Sequence, residues 1–272
     1  MMLEILQIPF MQKALIGGII LAVLLSVLSL FINLKNWSFI TVGISHAAFG
    51  GLAIGLFLGI SPPLTGMVFA ALIGLFIGYI SRKGDIHEDI SIGILFSLSM
   101  ALGVIVLTFT PNYSSDMFTF LFGNILTITG EEIYMLLLFS FLSLAFIAFF
   151  FQKIMFCCYN EDVAYVSGIN TGFLYYGIIL IISIATILAV KLVGVILSSA
   201  MMILPAALSR QVFWHYKKIL ISSVIISIFM VLTGIFISFY YNLPAGATIV
   251  FIYSMTFAFV ILIKKITGLK SV

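Results

Sequence analysis

"SFITVGISHAAFGGLAIGLFLGI", residues 38–60, contains no Asp, Glu, Lys or Arg. About 20 apolar residues in a helix cross the hydrocarbon core of a bilayer, so this stretch reads as a membrane span. Helix positions four apart line one face, and Gly43, Ala47, Gly51, Gly55 and Gly59 make one such row. Small rows let membrane helices approach closely, which is how they gain packing energy without a hydrophobic drive. A helix facing only lipid has no need of one. The single ionisable group of the stretch is His46, on the neighbouring row with Val42, Gly50 and Ile54.

The rest of the chain has the same character. It has 272 residues, 63% hydrophobic and 8% charged, against roughly 25% charged in a soluble domain. So few charges cannot cover a water-facing surface, and the chain reads as an all-α, polytopic transmembrane helical bundle. Charge, Pro, Gly and Asn divide it into apolar segments near 14–34, 39–59, 64–81, 91–110, 132–152, 173–190, 193–209, 219–240 and 246–263. That is about nine spans. Eight result if 173–209, interrupted only by Lys191, is one bent helix. The first segment is too long for the apolar core of a cleaved signal peptide and reads as a retained span. A second small row, Gly66, Ala70, Gly74 and Gly78, lies in the third segment. The second and third spans are expected to cross along their two rows.

Basic residues favour the cytoplasmic side. With nine crossings and the N-terminus outside, the inner side holds Lys35, Arg82, Lys83, Lys153, Arg210, Lys217, Lys218, Lys264, Lys265 and Lys270, and the outer side only Lys13 and Lys191. Trp37 and Trp214 then fall at inner edges, where interfacial aromatics belong. The C-terminus is expected in the cytoplasm. The loops are too short for a soluble domain, so residues 1–272 read as a single transmembrane domain.

Several chemistries find no residues. There is no GxxxxGK[ST] phosphate loop, no Ser/His/Asp or Cys/His set for covalent catalysis, and no basic stripe for nucleic acid. Cys157 and Cys158 are adjacent, and neighbours bridge only with strain; they read as packing residues. All nine carboxylates (Glu4, Asp85, Glu88, Asp89, Asp116, Glu131, Glu132, Glu161, Asp162) fall outside the spans or at their ends. Carriers driven by protons or sodium keep a carboxylate within the membrane. Its absence argues against a secondary carrier, one alternative; the other is a membrane subunit that transports nothing. His46 itself has two readings. It is either a hydrogen-bonding link between helices or, as an imidazole, a ligand for a passing cation.

Between two spans lies "CYNEDVAYVSGINTG", 158–172. Asn160 suits an N-cap, Glu161 and Asp162 suit the positive end of the helix dipole, and Gly168 suits a C-terminal stop. The helix they bound is too short to be stable alone and must dock, on its own chain or on a partner. "DMFTFLFGNIL", 116–126, reads as a helix lying on the outer surface. "NLPAG", 242–246, reads as the last outer turn.

Six stretches in this order resemble the membrane permeases of bacterial and archaeal ABC importers for zinc, manganese and iron. They are "SHAAFGGLAIG" (45–55), "SIGILFSLSMALG" (91–103), "FLFGNIL" (120–126), "EDVAYVSGI" (161–169), "VGVILSSAMMILPAALSR" (193–210) and "YYNLPAGATIV" (240–250). The resemblance implies a fold similar to type II ABC importer permeases, in a multi-pass protein of the plasma membrane. It implies a homodimer of permeases, two copies of a separate cytoplasmic ATPase, and an extracellular metal-binding protein that docks on 116–126 and 240–246. The chain itself is then not an enzyme and holds no permanent cofactor. Its cargo is a divalent metal ion, zinc first and manganese or iron next, moved by alternating access. The segment matching the family's coupling helix makes Glu161, Asp162, Ala164, Tyr165 and Gly168 the ATPase-binding residues, and His46 the metal residue of the ion path. Ser45, Ser198, Ser199 and Met202 have two readings, further weak ligands or ordinary helix packing, of which packing is the commoner. Two positions depart from the family: Val42 stands where members commonly carry an Asp four residues before the histidine, and Asn124 replaces another Asp of the outer motif.

Overall fold

The computed structural model describes residues 8–83, 88–110 and 128–267. Every regular element in them is helical: α1 Pro9–Lys35, α2 Ser38–Leu58, α3 Pro62–Lys83, α4 Glu88–Thr108, α5 Gly130–Tyr159, α6 Glu161–Val166, α7 Thr171–Val212, α8 Tyr216–Tyr241 and α9 Ala245–Thr267. Among the described residues eight helices are long and apolar enough to cross a membrane; α6 is not one of them. The expected surface helix at 116–126, with Asn124, lies outside the described residues.

Local chemistry sets the ends. Thr129 and Glu132 form a capping box at the start of α5, with Glu132 N donating to Thr129 Oγ1 and Thr129 N to Glu132 Oε2, which satisfies two otherwise orphan donors. Asn36 and Asn242 stop α1 and α8 in the left-handed region, at φ 58° and 53°, where Asn is tolerated better than most residues. The turn after Tyr241 is tied by Ser238 Oγ, which donates to the Leu243 carbonyl at 2.6 Å.

Helix α7 carries the main departure from a simple bundle. Gly194 sits at φ 84°, ψ 166° inside it, a backbone region essentially restricted to glycine. Across this point Thr186 Oγ1 reaches Met202 Sδ at 3.5 Å, and Ser198 Oγ donates to the Thr186 carbonyl at 3.4 Å. Residues sixteen apart in a straight helix are about 24 Å apart. The chain therefore turns back at Gly194, and α7 is a hairpin of two arms, 171–193 and 195–212. Among the described residues this makes nine apolar helical segments from eight helices. The sequence puts the break at Lys191 because Lys is the charged residue; the backbone puts it three residues later, where glycine permits the turn.

The second arm contains Pro205, which has no N–H and disturbs the helical ladder around it. Helix α1 compensates. Ser29 Oγ and Asn33 Nδ2 donate to the Ile203 carbonyl at 3.2 and 3.1 Å, and Ala206 N donates to Ser29 Oγ at 3.1 Å. Helix α1 and both arms of α7 form the buried centre, while α3, α4, α5 and α9 keep large apolar faces outward.

The glycine rows pack differently from the simplest expectation. Gly51 meets α3, where an added Cβ would stand 2.9 Å from the Thr65 carbonyl and 3.0 Å from Gly66 Cα. Gly43 faces Ile92 of α4, and Gly74 and Gly78 face Ser183 and Tyr175 of α7. Each row serves two neighbours, so α2 and α3 cross tightly at one end and then diverge.

Candidate functional site

Two places hold the residues singled out from the sequence. The first is the α2–α4 contact. Gly50 lets α4 approach so closely that a Cβ there would stand 2.7 Å from the Ser99 carbonyl oxygen, and one at Gly103 would stand 2.6 Å from the Phe49 ring. One turn from Gly50, His46 is half-buried, with its ring set edge to face against Phe96 at a centroid distance of 5.4 Å. Val42, a turn earlier, has no donor atom to add. Among the described residues no group of three His, Cys, Asp or Glu side chains is placed to hold a metal ion. The weak ligands are otherwise engaged. Ser45 Oγ donates to the Thr41 carbonyl, Ser199 Oγ to that of Val195 at 3.1 Å, and Ser198 and Met202 both turn to Thr186 inside the hairpin. Ser45 and Ser199 close helix bonds, and Ser198 and Met202 tie the two arms of α7 together, which is the packing reading of these four residues.

The second place is α6. Asn160 Oδ1 accepts from Val163 N at 3.0 Å, and Gly168 ends the turn at φ 81°. The helix docks on its own chain through Ala164, which is fully buried, and through Glu161. Lys35 Nζ stands 3.2 Å from Glu161 Oε2, and Arg82 pairs with Glu161 Oε1. Arg82 Nη2 also donates to Thr171 Oγ1 at 3.1 Å, and its guanidinium lies over the Tyr175 ring. One carboxylate thus joins α6 to the ends of α1 and α3, and Arg82 extends the link to α7. From the sequence, Glu161 suits the helix dipole and, by resemblance, an ATPase contact, but not these ion pairs. The signal left unused was that Lys35 and Arg82 belong to the same end of the bundle.

The opposite side of α6 is bare. Val163, Tyr165 and Val166 are 49, 71 and 86% exposed, and Asp162 is exposed beside them. Of the residues expected to meet a partner, Asp162, Tyr165 and Gly168 face outward. Ala164 faces inward, because a six-residue helix needs one small residue to seat it, and Val163 and Val166 take its place on the open face.

At the far end of the bundle Lys191 Nζ pairs with Glu132 Oε1 at 2.7 Å. Among the described residues the α6 end holds nine of the basic residues, the Gly194 end only Lys13 and Lys191. Tyr240 and Tyr241 are exposed at the Gly194 end, next to the 242–246 turn.

Comparison with known proteins bears on this arrangement. A family model described as the ABC 3 transport family matches residues 7–264. The chain is 29% identical to "Manganese transport system membrane protein MntC" of Listeria monocytogenes serovar 1/2a, over 97% of this chain and 94% of that protein. It is 30% identical to "Probable iron transport system membrane protein" of Haemophilus influenzae, over 97% of both chains. Among solved structures it is similar to "PsaBC from Streptococcus pneumoniae in complex with Fab", with a TM-score of 0.84, 29% identity, and coverage of 96% of this chain and 95% of that one. With its eight apolar helices, the chain is a multi-pass membrane protein.

Proposed function

Since the chain belongs to the ABC 3 transport family, we propose that it is the plasma-membrane permease subunit of an importer for a divalent transition metal, driven by a separate ATPase. The observation that carries this is α6. A six-residue helix, held by one carboxylate to the ends of α1 and α3, turns Val163, Tyr165 and Val166 outward. Exposed apolar side chains beyond the membrane end of a bundle mark a protein contact. The occupant is the cytoplasmic ATPase, one copy per permease of a homodimer. That choice places the basic end inside, as the distribution of Lys and Arg favours.

Work done on α6 has a physical route inward. The Glu161 pairs move the ends of α1 and α3 together. Helix α1 is hydrogen-bonded through Ser29 and Asn33 to the Pro205 region of the second α7 arm. A push on α6 therefore reaches the centre of the bundle through polar contacts, which is what alternation between an outward and an inward opening requires. The chain moves the ion and the partner hydrolyses ATP. The turn at 242–246, beside Tyr240 and Tyr241, receives the extracellular metal-binding protein.

His46 is the ion-path residue of this reading. One imidazole per chain holds a divalent ion weakly, as suits a path from which the ion must also leave. The names of the relatives favour manganese and iron and move zinc from first to third. With Val42 in place of a carboxylate, a harder ion such as manganese gains nothing from that position.

The test is ATP-dependent uptake of manganese, iron and zinc by proteoliposomes holding the permease and its ATPase. Wild type takes up at least one of these metals, and His46→Ala lowers uptake while the complex stays assembled. Full uptake by an intact His46→Ala complex overturns the path role. Uptake of none of the three by the wild-type complex overturns the metal assignment.

A further inference from the structure

A cavity of about 360 Å³ lies at the basic end, between the termini of α1, α7 and α8. Its walls are of two kinds. Leu30, Leu34 and Ile219 make an apolar side; Arg210, Gln211 and Asn33 make a polar side. Trp214 and Tyr159, 72 and 75% exposed, stand at its rim. Aromatic rings with one polar end collect at the level of lipid headgroups.

The charges here are not balanced from within. Arg210 Nη1 donates to the Asn33 backbone carbonyl at 3.2 Å, and Lys264 Nζ to Gln211 Oε1 at 3.2 Å. Among the described residues neither meets a carboxylate, whereas Lys35, Arg82 and Lys191 each do. The cause is in the sequence: from Val163 to Val272 there is no Asp or Glu, while Arg210, Lys217, Lys218, Lys264 and Lys265 all lie at this end. No carboxylate among the described residues balances Arg210 or Lys264, which leaves both open to an anion from another molecule.

We propose that this cavity seats the phosphate of an anionic phospholipid. Arg210 meets the phosphodiester, Lys264 adds its charge from beside Gln211, Trp214 and Tyr159 flank the glycerol, and the Leu30–Ile219 side receives the start of an acyl chain. A planar guanidinium suits phosphate oxygens, and basic pockets between spans on the cytoplasmic side are the usual place for such headgroups. A soluble partner protein would meet the polar wall but leave the apolar one unfilled. The exposed face of α6 already offers a protein contact. The site holds whichever metal is carried.

The experiment is native mass spectrometry of the full-length permease, alone and with its ATPase, given equal amounts of phosphatidylglycerol and phosphatidylcholine of the same acyl chains. Wild type retains phosphatidylglycerol in preference. Arg210→Gln and Lys264→Gln each lower that preference about fivefold, as loss of one cation near a headgroup implies. Arg210→Lys keeps most of it, and Lys13→Gln, at the opposite end, keeps all of it. Gel filtration checks that each variant is folded, and Trp214→Ala serves if Arg210→Gln misassembles. Equal retention of the two lipids, or full preference in both charge variants, overturns the proposal. Displacement of the lipid by millimolar inorganic phosphate assigns the cavity to a free anion instead. Loss of lipid whenever the ATPase is bound assigns it to the protein partner, and either result refutes the lipid site.

Discussion

Replacing Gly194 by Ala tests the turn that divides α7 into two arms. At φ 84°, ψ 166° a Cβ collides with its own backbone, and such conformations cost a non-glycine residue about 1–3 kcal/mol. The hairpin cannot escape by straightening, because forty-two residues in one helix would be about 63 Å long, against a hydrocarbon core of about 30 Å. The strain must therefore appear as lost stability, a rise of roughly 5- to 150-fold in the unfolded fraction for that range of cost. The assay is SDS-driven unfolding of the purified permease in mixed micelles, with Gly93→Ala as control. A Cβ at Gly93 meets nothing within 4 Å, and Ala is the better helix former, so the control gains up to about 1 kcal/mol. The geometry is checked separately by spin labels at Phe173 and Val212, both exposed, in a background lacking Cys157 and Cys158. A straight helix would separate these positions by about 58 Å. The hairpin brings both to one end of the bundle, within a few helix diameters of about 10 Å each. A wild-type separation near the straight-helix value, or a Gly194→Ala variant as stable as wild type with the short separation intact, refutes the reasoning.

Three further outcomes follow from the contacts described. Gly50→Ala places a methyl 2.7 Å from the Ser99 carbonyl oxygen and 3.1 Å from the Phe69 ring, so it should cost about 1–3 kcal/mol of overpacking; an unchanged thermal midpoint would show that α4 yields. Glu161→Gln removes both ion pairs that seat α6. With the side chains only 20–31% exposed, a loss near the upper end of the surface range, about 1 kcal/mol per pair, should speed amide exchange across 161–169, and unaltered exchange would mean that Ala164 alone holds the helix. For sidedness, single cysteines replacing Glu131 and Lys218 should label oppositely with an impermeant reagent added outside intact cells, only the first reacting; reaction of the second reverses the orientation.

The spans were legible in the sequence because a bilayer demands long uncharged runs, and that demand is local. The stops were legible for the same reason. Asn160 and Gly168 act through their own side chain or its absence, and the structure finds them as the N-cap and the positive-φ end of α6. His46 stood out because one imidazole in an uncharged span has no local purpose, yet its neighbours were not readable, since Phe96 reaches it from another helix. The hairpin was half legible. Lys191 announced an interruption, but whether the chain bends or reverses depends on the φ of Gly194 and on contacts between Thr186 and Met202, which are sixteen residues apart.

What the sequence by itself determined is how much apolar helix there is, where it stops, and which end carries the positive charge, because hydropathy, capping and charge are properties of each segment alone. Tertiary structure decided which partners those segments took. It sent the glycine rows to two neighbours each, turned Ala164 inward, set Ser29 and Asn33 against the backbone beside Pro205, and gave Glu161 two cations while Arg210 received no carboxylate among the described residues. Those choices rest on the distance between side chains that the sequence keeps far apart, and no pattern along one helix encodes that distance.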